Sequence, residues 1–320
     1  MKGVEDIAEF LKKENCFYIL THQSPDGDTL GSACALCKAL QKLNKKAKIF
    51  CSDEISSKYD YLFDGLKQQN FNVACIVAVD IADTQLLGEN LMKYQDRIDL
   101  CIDHHPSNTH YAKNYYIDET AAATTEIIYD IINQMGVYID KDIANSIYTG
   151  ICTDTGCFRY SNATSKTFRL AADVIDYGAD YFYINKIMFD AKSKSKLELE
   201  KLVLQTLEFH FNDRCAVINV TREMMERTDC VESDTEGLSS IPRKVENVIA
   251  GITIREKDKD VYKISLRTES PLDASKICKV FNGGGHARAA GCKINGTLDF
   301  VREKILLEIE KELEEIIWMV

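Results

Sequence analysis

The chain has no surplus of positive charge. Its 39 Lys and Arg are outnumbered by 50 Asp and Glu, a formal net charge of −11 over 320 residues. A sequence-independent grip on duplex nucleic acid needs a broad basic surface, so duplex DNA is not the expected partner. A short phosphorylated ligand held by cations and a few arginines remains open. Long apolar runs are missing as well. Nothing approaches the roughly 18 apolar residues of a membrane-spanning helix, so no membrane partner is expected. The opening MKGVEDIAEFLKKENC reads as an amphipathic helix of mixed charge, without the apolar centre of a secretory signal. There is no G-x-S-x-G elbow, and no cysteine stands beside a base, so an activated nucleophile is not in view. No tandem repeat of solenoid period and no low-complexity tract interrupts the chain.

What is present is ordinary globular material. Hydrophobic residues make up 45% and charged residues 28%, enough for a substantial core, and the length makes two domains the default. The twelve cysteines are scattered through apolar runs, for example at Cys34, Cys75, Cys101 and Cys152. That usage suits buried thiols in a reducing compartment, and a cytoplasmic location is expected. Cys34 and Cys37 form a single C-x-x-C inside an apparent helix with no second ligand pair nearby, so a zinc site is not expected there.

The first half alternates short apolar runs with helical stretches. Residues 16–20, 47–51, 74–79 and 99–102 read as buried strands, and residues 29–43 as a helix rich in Ala and Leu. Such alternation predicts a mostly parallel sheet with helices on both faces. From about 121 to 189 the pattern is helical, with helices expected from 124, over 141–153 and over 165–177. Residues 190–200, DAKSKSKLELE, read as an exposed helix or linker. Beyond it, strands are expected at 214–220, 248–255 and 261–266 and helices at 273–281 and 299–317, around a glycine cluster. The fold class is therefore α/β, with a smaller α+β domain after it. The domains are read as 1–190, a helical linker over 191–205, and 206–320, with an active site expected in a cleft between the two.

Histidine is scarce, six in the chain, and three of the six fall in CIDHHPSNTH at 101–110. In an open α/β sheet, ligands collect outside the carboxyl ends of the strands. Four polar clusters sit there: THQSPDGD at 21–28, Asp80 with Asp83, Asp103-His104-His105, and Asp154 where a helix meets a glycine-containing loop. Clustered aspartates are costly unless a cation neutralises them. Carboxylates mixed with imidazoles suit Mn²⁺, with Mg²⁺, Co²⁺ or Fe²⁺ as competitors, and about four acids with two or three imidazoles exceed the needs of one ion. Two divalent cations fit, an arrangement that activates water at neutral pH and clamps a phosphoryl group. Further along, FNGGGHARAAG at 281–291 sets Gly283, Gly284 and Gly285 before His286 and Arg288. Consecutive glycines allow backbone N–H groups to turn toward an anion, and Arg267 at a strand end could pair with phosphate. This is neither a P-loop nor a Rossmann fingerprint, since it follows a helix.

Five motifs in order, T-H-x-x-P-D-G-D at 21–28, V-D-x-x-D at 79–83, D-H-H-P at 103–106, T-D-T-G at 153–156 and G-G-G-H-x-x-A-A-G at 283–291, resemble the DHH–DHHA1 phosphoesterase superfamily across nearly the whole chain. The length resembles its compact bacterial branch of oligoribonucleases and 3′-phosphoadenosine-5′-phosphate (pAp) phosphatases. The resemblance implies that His22 and Asp26 hold one metal, that Asp28, His104 and Asp154 hold the other, and that Asp80 bridges them. It implies that Asp103 orients the site and that His105 meets the phosphate or a bridging water. Arg267, Gly283, Gly284, Gly285, His286 and Arg288 match the family's substrate-binding region, with Arg159 a further contact. The implied partner is a short RNA or small nucleotide, and a homodimer is compatible with the resemblance. No ligand position departs from the pattern.

The bland readings are specific. Asp83 reads as a helix cap, His110 as a surface residue, His210 as the packed end of a helix, and the run from Lys192 to Lys196 as a solvated face. Ile305, Leu306, Ile309 and Leu313 read as core. Rival functions are a cyclic-dinucleotide phosphodiesterase, a polyphosphatase or pyrophosphatase of the same superfamily, and a non-catalytic nucleotide-binding regulator. The last predicts a missing metal ligand.

Overall fold

The structure is a computed structural model describing residues 1, 3–72, 75–235 and 237–318. Two compact units divide at Ala191 and Lys192. The first contains α1 (Val4–Lys13), β1 (Cys16–Leu20), α2 (Gly27–Lys42), β2 (Lys46–Phe50), β3 (Cys75–Val79), β4 (Leu100–Asp103), β5 (Asn114–Ile117), α3 (Thr124–Gln134), α4 (Lys141–Asp154), α5 (Ser165–Asp176) and α6 (Tyr181–Asn185), followed by one π turn, Lys186–Asp190. Its strands are all parallel, in the order β2-β1-β3-β4-β5. The β3 strand begins at Cys75; Ala74, placed in it by the sequence pattern, lies outside the described residues. The short β5 has only half-buried or exposed positions, which is why no apolar run announced it.

Side chains alternate across this sheet. Phe17, Ile19, Val77, Val79, Leu100 and Ile102 face one way, into a core shared with all six α-helices. Leu20, Ile76, Ala78 and Cys101 face the other way, against Ile81, Leu87, Leu91 and Ile98. That second face is covered by loops and short 3₁₀ turns at Thr84–Leu87 and Met92–Arg97, and the α-helices are all on the first. The helix α2 is buried along nearly its whole length, and Cys34 and Cys37 lie inside it as free thiols.

The second unit contains α7 (Lys194–Leu204), β6 (Glu208–His210), β7 (Cys215–Val220), α8 (Arg222–Arg227), β8 (Ala250–Asp258), β9 (Val261–Thr268), α9 (Ala274–Lys279), β10 (Gly284–His286), β11 (Ala289–Asn295) and α10 (Leu298–Trp318). Its sheet runs β10-β11-β9-β8-β7-β6, antiparallel except for the β7–β8 pair. One face packs Ile252, Ile254, Ile264, Leu266 and Cys292 against Ile277, Val301, Ile305, Ile309 and Leu313. Residues 194–204 are not a free linker: Leu199 and Val203 are buried against Ile218 and Val220 of β7. His210 ends the edge strand β6 instead of a helix. Among the described residues, no helix is long and apolar enough to cross a membrane.

Candidate metal centre

In a parallel sheet of order 2-1-3-4-5 the strand order reverses between β1 and β3, and a crevice opens there at the carboxyl ends. The sequence places His22 and Asp26 after β1, Asp80 directly after β3, and Asp103 at the end of β4. α2 starts in that crevice because Asp26 caps it: Oδ1 accepts from the N–H groups of Asp28 and Thr29, each at 3.1 Å. The capping oxygen also faces the cluster, since Asp26 Oδ1 is 3.6 Å from His22 Nε2. α4 delivers Asp154 on its last turn. That helix comes close because Gly150 has no side chain; a Cβ there would meet Thr125 at 2.3 Å and Asp28 Oδ1 at 2.6 Å.

The cluster is built around Asp80. Its Oδ2 is 3.7 Å from His22 Nε2, and its Oδ1 is 3.7 Å from His104 Nε2 and 3.6 Å from His105 Nδ1. His104 Nε2 also lies 3.3 Å from Asp154 Oδ2 and 4.0 Å from Asp28 Oδ2. Three sets of side chains could each hold a metal ion: His22 with Asp26 and Asp80, Asp28 with His104 and Asp154, and Asp80 with His104 and His105. Asp80 adopts the left-handed region at φ 59°, uncommon outside glycine and typical of strain kept at a working site.

The two adjacent histidines are engaged differently. His104 Nδ1 lies 3.1 Å from the Ala121 carbonyl, which takes its hydrogen and leaves Nε2 aimed at three carboxylates. That Nε2 is buried and makes no hydrogen bond of proper geometry, the state of a ligand atom awaiting a cation. His105 Nδ1 is instead 2.8 Å from Asp103 Oδ1. Its hydrogen is committed to that carboxylate, and the ring is 43% exposed. Asp103 is fully buried; it also accepts from the His104 N–H at 2.8 Å and from Asn108 Nδ2 at 2.7 Å.

Electrostatics explain why such a cluster wants positive charge. Asp28 is fully buried and pushed up to about 7, by burial first and then by the Asp154 charge. Burial and the neighbouring aspartates raise Asp80 well above the usual carboxylate range. His104 is held up at about 9 although burial opposes its charge, because Asp154 and Asp28 outweigh that burial. His22 is likewise raised despite burial, by Asp26. Among the described residues, the ion-pair partners of Asp26, Asp28, Asp80 and Asp154 are all imidazoles. Hard oxygen donors with two or three imidazoles fit Mn²⁺-like cations, and no thiol joins them.

Two residues to which the sequence reading gave no place in the site hold these carboxylates. Thr124 and Thr125 donate backbone N–H groups to Asp28 at 2.6 and 3.0 Å; the Thr125 hydroxyl adds a bond at 2.9 Å, and the Thr124 hydroxyl reaches Asp80 Oδ1 at 2.9 Å. Their one signal in sequence was a paired Thr-Thr opening a buried helix. Asp83, as expected, is a cap, accepting from the Gln85 N–H at 2.8 Å. His110 is exposed and stacks on Tyr115 at 4.4 Å.

The remaining candidates lie elsewhere. Arg159, just past α4, donates Nε to the Gly156 carbonyl at 2.6 Å and sits over Phe189. Arg267, Ala289 and His286 are register partners across β9, β11 and β10, so they share a face of the second sheet, opposite the face that packs on α9 and α10. Arg288 follows His286 in the connecting turn, its Nη1 donating to the Leu272 carbonyl at 2.5 Å. The glycines are part of a hairpin at the sheet edge. Gly283 donates its N–H to Cys278 at 2.9 Å, and Gly284 and Gly285 pair with Gly291 and Ala290 as an edge strand. Glycine is needed at 285, where φ is 142° and a Cβ would meet the Ala289 carbonyl at 2.5 Å.

Fold and cluster together define an α/β protein with an acid–imidazole cluster able to hold metal ions at the switch point of its parallel sheet. The DHH family N-terminal domain matches residues 16–151, and the DHHA1 domain matches residues 233–317. The bifunctional oligoribonuclease and PAP phosphatase NrnA of Thermus thermophilus is 31% identical over 96% of this chain and 93% of its own length. The Bacillus subtilis protein of the same name is 26% identical over 92% and 93%. The chain belongs to the DHH–DHHA1 phosphoesterase family. A crystal structure of an exopolyphosphatase-related protein from Bacteroides fragilis, 24% identical, has the same fold, with a TM-score of 0.83 over 98% of this chain and 95% of that one.

Proposed function

We propose that this protein is a divalent-cation phosphoesterase that hydrolyses short oligoribonucleotides and pAp to nucleoside 5′-monophosphates. The observation that carries the reading is the pair of acid–imidazole sets that meet at Asp80, the second of which contains the buried Nε2 of His104, without a hydrogen-bond partner. The relatives named above, which cover nearly all of the chain, supply the substrate class.

In this reading His22, Asp26 and Asp80 hold one cation, and Asp28, His104, Asp154 and the same Asp80 hold the other, with Mn²⁺ the best match to the donors. What the cations supply when bound is Lewis acidity, which lowers the pKa of water and neutralises phosphoryl charge. Asp103 keeps the Nδ1 hydrogen of His105 in place, so Nε2 is presented outward to the substrate phosphate. Thr124 and Thr125 fix the carboxylates of Asp28 and Asp80 before any cation arrives. His286 and Arg288, on a hairpin whose tight approach depends on Gly283 and Gly285, bind phosphate or base together with Arg267 on the neighbouring β9; Gly284, with open space around it, gives substrate access to the strand edge. Arg159 offers charge on the loop that follows Asp154, where its Nε is bound to the Gly156 carbonyl. The protein works in the cytoplasm.

The test is incubation with Mn²⁺ and a panel of two- to five-nucleotide RNAs, pAp, linear and cyclic dinucleotides, and pyrophosphate. Short RNA and pAp are expected to be cleaved to 5′-monophosphates. Cleavage of pyrophosphate with none of any nucleotide would replace this reading with that of a pyrophosphatase.

A further inference from the structure

We propose that Tyr160 is a nucleobase platform beside the metal centre, a specificity-determining residue that seats one base of the substrate on its ring. The inference rests on the nucleotide-cleaving function proposed above and goes further, assigning base recognition to the first unit.

Four observations carry it. First, the chain leaves α4 through three consecutive left-handed residues, Gly156, Cys157 and Phe158, with φ of 56°, 58° and 61°. A left-handed turn containing two residues with side chains is unfavourable and survives only where the surrounding structure fixes it. Second, that turn lays the Tyr160 ring on Gly156: a Cβ at Gly156 would meet three ring atoms of Tyr160 at 2.4–2.6 Å. One face of the ring therefore rests on backbone, and glycine is the residue that allows it. Third, Tyr160 is 51% exposed, so about half of the residue is open to water although Gly156 covers part of its ring. A large aromatic surface left open to water and backed by rigid backbone is the arrangement on which bases stack in single-strand binding.

Fourth, the loop is tied to the centre. Gly156 is two residues past Asp154. Asn162 donates to the Asp154 carbonyl at 3.2 Å and to the Ala122 carbonyl at 3.1 Å, and the adjacent Ala121 carbonyl holds the His104 ring. Arg159, between the turn and the platform, has its Nε bound to Gly156 and its guanidinium over Phe189, so positive charge is fixed next to the ring. A base on Tyr160 thus accompanies a phosphate near Asp154. The neighbouring aromatics do a different job: Phe158 packs against Tyr148 and Phe168.

The experiment compares wild type, Tyr160→Leu, Tyr160→Phe and, as a control at the other end of α4, Tyr138→Ala. Substrates are an RNA dinucleotide and the same dinucleotide with one or the other base replaced by hydrogen, each with Mn²⁺. Tyr160→Leu keeps bulk on Gly156 but removes the aromatic face. It should raise KM for the intact dinucleotide roughly tenfold, the size of one lost base stack, with kcat and Mn²⁺ binding within twofold. Tyr160→Phe and Tyr138→Ala should stay near wild type. For one abasic substrate, wild type and Tyr160→Leu should become equal. If Tyr160→Leu slows intact and both abasic dinucleotides alike, or changes none of them, the platform is wrong. A wild-type protein that cleaves no nucleotide overturns the functional reading, and the platform falls with it.

Discussion

The two units carry their candidate site residues in opposite ways. In the first, Asp28, Asp80 and Asp103 are buried to 3% exposure or less, at the carboxyl-end side of the parallel sheet; Asp28 and Asp80 are held by Thr124 from far along the chain, and Asp103 by Asn108 and the histidines beside it. In the second, Gly284, Gly285, His286 and Arg288 are exposed, on an edge hairpin of three-residue β10. Burial turns acids into a preorganised trap for cations, because their mutual repulsion has no aqueous screening. Exposure on an edge strand leaves arginine and histidine solvated, which favours a substrate that comes and goes. Substitutions of the buried acids should therefore abolish function, and those on the exposed hairpin should only weaken substrate binding.

Asp80→Ala breaks the first unit hardest. It should abolish tight binding of divalent cations, measured by calorimetry, and with it essentially all phosphoesterase activity. A variant retaining full metal content would remove Asp80 from the bridging position. Next come the two histidines. His104→Ala should lower metal content, while His105→Ala should leave it intact and slow turnover about 10- to 100-fold, the usual size for a residue supporting a metal site. Equal metal loss in both would erase the difference read from their Nδ1 partners.

In the second unit, Arg288→Ala should raise KM for a short RNA by roughly tenfold, the loss of one charge-assisted contact, with unchanged metal content. Lost metal would contradict its assignment to substrate.

The smallest effect lies away from both sites. Asp140, the cap of α4, is held below the usual carboxylate range; burial works against this, but Lys42 at 2.6 Å and the Ile143 N–H outweigh it. A folded-state pKa below the unfolded one means stability present above about pH 4 and lost as pH falls through the folded value. Both side chains are a third or more exposed, so the contribution should be under about 1 kcal/mol. Asp140→Asn keeps a capping oxygen and removes the charge, so its melting temperature should fall slightly below wild type at pH 7 and match it near pH 2.

How far the sequence reached differs between the units for the same reason. The parallel strands β1, β3 and β4 are apolar on both faces, so their runs stood out, and the acids at their ends stood out with them. Strands β5, β6 and β10 are short, edge or exposed, and β10 is mostly glycine; nothing in their periodicity separates them from loop. His210 was misplaced for that reason, and the edge strand formed by Gly284–His286 was not announced. α7 was read as an exposed helix or helical linker because its charged residues outnumber Leu199 and Val203; the helix is there, and those two residues anchor it. Thr124 and Thr125 were invisible as support because hydrogen bonds spanning almost a hundred residues leave no local pattern.

The central claim is a two-cation centre divided by Asp80. Anomalous scattering at the manganese edge from crystals grown with Mn²⁺ tests it most directly. The account predicts two peaks flanking Asp80, one beside His22 and Asp26 and the other beside Asp28, His104 and Asp154. A single peak, or two peaks that do not share Asp80, would contradict it.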